Sequence, residues 1–188
     1  LEFRRVLFRS KTEYERLGKK FDLAAYARHG VFLDRFFNLI ILAGPDGNII
    51  AADRKLPPSN IADREHFKVH VAADSGNLFI SKPVLGRSSG KWSVQFTRRI
   101  NNADGSFGGI VVASLDPNYF AEFYKSLDTG TGSVAVLVGT DGIVRARRSD
   151  DNSTVGQDIS KSILFEHLKT ADADHYFWRS LIDGTRRL

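Results

Sequence analysis

The sequence of 188 residues contains no cysteine. Disulfide frameworks, thiolate nucleophiles and cysteine-based metal sites are excluded together, although neither redox compartment follows, because a large enough core folds without disulfides. Long apolar runs are also lacking. The longest, of five residues such as LIILA at 39–43, fall far short of the roughly 18 residues that could span a bilayer. An extended basic stripe is missing as well. The formal charge is +5, but the opening LEFRRVLFRS supplies +2 of it, and the remaining Lys and Arg are interleaved with Asp and Glu. Phosphate-backbone binding therefore has no footprint, and no nucleic-acid partner is expected. No phosphate loop, Ser nucleophile elbow or paired-carboxylate motif occurs, so neither an enzyme nor a bound cofactor is expected.

What is present is a foldable chain. At 42% hydrophobic it can bury a real core and has room for one domain or two small lobes. Residues 1–10 lack the apolar middle of a signal peptide, join the next segment abruptly, and read as a non-native scar outside the domain. Between residues 11 and 37, Leu17, Phe21, Ala24, Ala25, Phe32 and Phe36 recur mostly three or four apart, which predicts one long amphipathic stalk helix. Asp-Gly turns then punctuate the chain at 45–48, 103–106, 140–143 and 182–185, the strongest short signal for a hairpin. They predict strands at 38–43, 48–53, 77–84, 91–101, 107–116, 133–139 and 142–148, with helices at 63–74, 118–126 and 161–169.

An internal echo organises these elements. LIILAGPDGNII from Leu39 and VAVLVGTDGIVR from Val134 align without a gap, Gly44 on Gly139 and Asp46 on Asp141, and at that offset Asp63 falls on Asp158. The expected fold is α+β: a long N-terminal helix, then two tandem lobes with antiparallel sheets at 38–126 and 127–188, the second incomplete.

Several residues carry candidate chemistry. Asp63 is placed to cap the helix after it. Arg64 is then either a solvated first-turn arginine or an anion anchor. His66 and His70, four apart on a helix, share a face but lack a third ligand at persuasive spacing, so no metal is expected. Strand alternation sets Trp92, Val94, Phe96 and Arg98 on one face and Lys91, Ser93, Gln95, Thr97 and Arg99 on the other. Asp116 ends a strand, where it either caps the following helix or faces a ligand. A hydrolase or transferase using Asp63, His66 and Asp116 as acid and base is the competing reading.

The order of segments is itself informative. A long helix leading into LAGPDGNIIAAD, then ADREHF, SKPVLGRSSGKWSVQFTRRI, DGSFGGIVVASLDPNYFAEFYKSL and VLVGTDGIVRAR resembles the double Cache (PDC-type, PAS-like) sensor domains. Those form the extracytoplasmic input of bacterial diguanylate cyclases, sensor histidine kinases and chemoreceptors. The resemblance implies PAS-like lobes, with 38–126 membrane-distal and ligand-binding and 127–188 membrane-proximal. It also implies a small-molecule ligand and a homodimer through the N-terminal helix, in an inner-membrane protein whose transmembrane helices and output module lie outside this chain. Carried over residue by residue, it makes Arg64 the holder of a ligand carboxylate, with His66 and Phe67 where amino-acid-binding members have Trp and Tyr. Ser59 stands where they have an upstream Tyr. Trp92 and Arg98 are implied at the pocket floor, and Asp116 stands where an Asp holds the ligand's ammonium. With the departures at Ser59, His66 and Phe67, the resemblance implies a small carboxylate or another polar metabolite as ligand rather than an amino acid in particular.

Overall fold

Strands form where the apolar runs lie between the Asp-Gly turns, and helices cover the faces that those strands cannot bury among themselves. The computed structural model describes residues 2–27, 36–125, 133–148, 154–167, 175–182 and 184–187, and the chain divides into two units, residues 1–116 and 117–188.

The first unit is built on one antiparallel sheet. Its strands are β1 (Phe37–Ala43), β2 (Ile49–Ala52), β3 (Phe79–Leu85), β4 (Trp92–Asn101) and β5 (Phe107–Leu115), in the order β2-β1-β5-β4-β3. Helix α1 (Glu2–Leu17) packs on β4 and β5, and α3 (Glu65–Ala72) packs on β3, β4 and β5. With a layer on each side, the central strands are apolar on both faces. Leu39, Ile41 and Ala43 join Ile110, Val112, Ile61 and Phe67 in one core. Ile40 and Leu42 point the other way, opposite Ala113 and Val111.

Two expectations about the N-terminal segment are corrected. Residues 2–10, read as lying outside the domain, form the first turns of α1, and Val6, Leu7 and Ser10 are buried. Their spacing puts all three on one face of the helix, and burying Val6 and Leu7 stabilises the unit by about 1.5–3 kcal/mol each. Nor does one helix run from 11 to 37. Gly18 takes the left-handed conformation (φ 55°), a 3₁₀ turn spans Gly18–Lys20, and Asp22 Oδ1 accepts from Ala25 N at 2.9 Å to start a separate helix, α2 (Leu23–Tyr26). Phe37 already belongs to β1, and the predicted helical residues 28–35 lie outside the described ones.

The second unit contains α4 (Pro117–Lys125), β6 (Ala135–Val138), β7 (Val144–Arg148), α5 (Ile163–His167), β8 (Trp178–Arg179) and β9 (Arg186–Arg187). β6 pairs with β7 and β8 with β9, both antiparallel. Helix α4, expected in the first lobe, clusters with this unit and packs on β7.

The internal echo survives at the level of single hydrogen bonds. Gly44 N donates to Asn48 O at 2.9 Å, as Gly139 N does to Ile143 O at 3.0 Å. Ile61 N donates to Gly47 O at 2.9 Å, as Ile159 N does to Gly142 O at 2.8 Å. Gly47 and Gly142 have φ of 80° and 79°, and a Cβ on either would lie 2.6 Å from Ala62 or 2.4 Å from Ser160. The ungapped alignment fails beyond the hairpin. Ala62 N donates to Asn60 Oδ1 and Ser160 N to Asp158 Oδ1, each at 2.8 Å, so Asp158 is the counterpart of Asn60 and not of Asp63. Three extra residues in the second copy, between the hairpin and this turn, account for the shift.

Candidate functional site

The start of α3 faces the middle of the sheet across a small cleft. It is lined by Leu39 and Ile41 of β1, Ile61, Arg64 and His66 around the helix start, Val112 and Ser114 of β5, Gln95 of β4, and residues 84–89 at the β3–β4 turn. The cavity is about 40 Å³, room for about three water molecules.

Arginine chemistry dominates its rim. Arg87 Nη1 donates to Asn60 O at 2.7 Å and Asp63 Oδ1 at 3.1 Å, while Nη2 donates to Asp63 Oδ2 at 2.9 Å. This two-pronged bond ties the β3–β4 turn to the α3 start. The Arg87 guanidinium holds the Asp63 carboxyl below the usual carboxylate range. Asp63 therefore does not cap α3, as its position suggested: the cap residue is Arg64, without a side-chain cap bond, and Asn60 supplies the turn bond to Ala62 N. Arg64 reaches Leu85 O at 3.5 Å.

The deeper wall is neutral. His66 is 6% exposed, and burial, with the Arg64 charge and then His70 adding to it, pushes its pKa down to about 4. Ser114 Oγ donates to Gln95 Oε1 at 2.6 Å. One turn on, His70 Nε2 lies 2.8 Å from Thr97 Oγ1, Thr97 Oγ1 donates to His66 O at 3.3 Å, and Arg99 Nη1 donates to His70 O. Strand β4 thus holds α3 by its backbone carbonyls, which fixes where Arg64 and His66 stand.

The structure brings together only part of the predicted site. Arg64 and His66 line the cleft. Phe67 lies in the core, edge-on to Phe107 at 5.4 Å between ring centroids. Trp92 is 51% exposed, and its carbonyl accepts from Asn38 Nδ2 at 3.2 Å. Arg98 is opposite Val111, on the sheet face that carries α1. The cleft takes the other face of β4, through Gln95, because Gln95, Thr97 and Arg99 are the side chains turned toward β5 Ser114 and α3. Asp116 is absent from the lining, and its N–H donates to Phe36 O at 3.1 Å. Sequence reasoning missed Arg87, Gln95 and Ser114. Gln95 was legible as one of two possible strand faces, whereas nothing local marks Arg87.

An acid–base centre is not what these residues make. Asp63 is engaged by Arg87, His66 is buried and neutral at physiological pH, and Asp116 does not reach the cleft lining. A neutral cavity rimmed by guanidinium groups and backed by a hydroxyl and an amide is a place to hold a small anion.

No protein-family model matches the sequence, and no curated protein matches it. Solved structures do. The extracellular domain assigned to the histidine kinase rpHK1S-Z16 matches with a TM-score of 0.77 at 30% identity over 87% of this chain. The chain spans 66% of that domain, just under two thirds. The ligand-binding domain of the Pseudomonas aeruginosa PAO1 chemoreceptor PctC, in complex with GABA, matches with a TM-score of 0.62 at 17% identity, over 84% of this chain and 71% of that one. That of the Pseudomonas fluorescens chemoreceptor CtaA, in complex with L-alanine, gives 0.56 at 19%, over 82% and 64%. A five-stranded antiparallel sheet with a small cleft under a short helix, seen in company with these domains, places the fold among those of extracellular ligand-binding domains and not of enzymes. The fold is that of these extracellular ligand-binding domains, in line with the resemblance of the sequence to Cache-type, PAS-like sensor domains.

Proposed function

We propose that this chain is the extracytoplasmic input domain of an inner-membrane signalling protein, and that its first unit, the membrane-distal one, binds a small carboxylate at Arg64. The single observation that carries the reading is the Arg64 guanidinium at one small cleft whose inner wall, His66, Gln95 and Ser114, is uncharged. A carboxylate there exchanges water for charged hydrogen bonds in a partly dry site, and the 40 Å³ cavity suits an anion of a few heavy atoms. The solved neighbours include histidine-kinase and chemoreceptor domains, which supports a kinase or chemoreceptor output. A homodimer through α1 would use the outward side of that helix, where Phe8 is exposed, since Val6 and Leu7 are taken by the sheet.

Isothermal titration with a panel of short carboxylates tests the site. Arg64→Ala is expected to weaken the best of them by about ten- to a hundredfold, the loss of one charge-assisted contact, while Glu65→Ala leaves it unchanged. Equal binding by both variants, each folded by circular dichroism, would place the ligand elsewhere.

A further inference from the structure

We propose that the second unit carries a ligand site of its own, a cleft for a small monocarboxylate with a hydrocarbon body. The cleft measures about 240 Å³, against 40 Å³ in the first unit. Its walls include Val136, Ile159 and Leu164 and the rings of Tyr176 and Trp178. Arg147, Ser162 and Ser180 bring polar groups to it. Arg147 of β7 is buried, and so is Ser162, 8% exposed, whose hydroxyl oxygen is buried with no hydrogen-bond partner. A buried hydroxyl left unpaired is costly, and a ligand oxygen that accepts from it removes the cost.

The place of the cleft in the repeat strengthens the case. Ser162 N donates to Ile159 O at 2.8 Å and Phe165 N to Ser162 O at 3.1 Å, matching Arg64 N to Ile61 O at 3.0 Å and Phe67 N to Arg64 O at 3.1 Å. Ser162 is thus the counterpart of Arg64, and the cleft occupies the same position between strand and helix start. The cation comes from β7 instead of from the helix.

The lining decides the ligand class. One guanidinium matches one carboxylate, with Ser162 donating to its second oxygen. Among the described residues no Asp or Glu lines the cleft, so the described lining offers an ammonium group no counter-charge. The volume lies below the roughly 300–1,000 Å³ of drug-sized ligand sites, which suits one ring or a short branched chain stacked on Trp178 and Tyr176.

The chain has two tryptophans, so Trp92→Phe leaves Trp178 as the only indole reporter. Titrating that variant of the full chain with benzoate or isovalerate is expected to change Trp178 emission saturably, and benzamide, the neutral counterpart of benzoate, to bind at least about tenfold more weakly. Adding Arg147→Gln should weaken benzoate at least about tenfold, Ser162→Ala by a smaller factor, and Arg64→Ala not at all. Ser162→Leu, which fills the cleft and spares the arginine, should abolish the response and covers the case that Arg147→Gln fails to fold. The proposal is overturned if neither carboxylate perturbs Trp178, if benzamide binds as well as benzoate, or if folded Ser162→Leu binds undiminished.

Discussion

The two units share a hydrogen-bond frame and differ in how much surrounds it. In both, a hairpin with Gly at positive φ receives the N–H of an isoleucine that leads into a short helix. In the first unit that frame is sandwiched, with β5 paired to β1 and helices on both faces of the sheet. In the second, β6 and β7 form a two-stranded sheet, and the equivalent position opens into the larger cleft. The backbone frame is thus a reusable mount, while the neighbouring layers decide how tightly each copy is packed and what its cleft can hold.

The largest expected effect breaks the comparison at its core. Leu42 in β1 is fully buried, and its counterpart in the repeat, Leu137 in β6, is only half-buried. Leu42→Ala should destabilise by about 2–5 kcal/mol and Leu137→Ala by less than half as much, as read from denaturant melts. Equal losses would mean that the second unit is packed as densely as the first.

Acid should act on the first unit next. The His66 pKa, about 4 in the fold against an ordinary value of 6.5, means that the unfolded chain binds the extra proton between those values. Stability is therefore full above about pH 6.5 and falls as pH drops toward 4, by up to about 3 kcal/mol at 1.36 kcal/mol per pH unit. His70, also lowered by burial, adds in the same direction. His66→Phe should flatten that slope in melts run from pH 7 to pH 4; an unchanged slope would assign it to other groups.

Substituting the turn glycines tests the shared frame itself. Gly47→Ala and Gly142→Ala each place a Cβ within 2.6 Å of the following turn at a φ that L-residues avoid. Each should cost about 1–3 kcal/mol, and amide exchange should locate the loss in the first unit for one variant and in the second for the other. The smallest effect is expected at Asp63→Asn, where the Arg87 pair is exposed and screened by solvent. Its thermal midpoint should stay within error of the parent.

How much of this was legible depends on the range over which each signal acts. Strand positions, Asp-Gly turns and the internal echo are local patterns, and the sequence alone determined them, together with the α+β class. A helix break hidden in residues 18–22 is local too, but Asp22 competes with an apolar stripe that continues past it, and the stripe misled. Which face of β4 meets α3 could not be read, because alternation defines two faces without saying which layer covers each. The packing of α1 on β4 and β5 took Arg98 and left Gln95 for the cleft. Arg87, 24 residues from Asp63 in the chain, reaches it only because the β3–β4 hairpin folds back over the helix start. Residues 1–10 carried no motif, and their role emerged only where a bare sheet face needed covering. Periodicity fixes the elements because it is written in neighbours along the chain, whereas site membership is settled by long-range burial, for which only the tertiary structure supplies the partner.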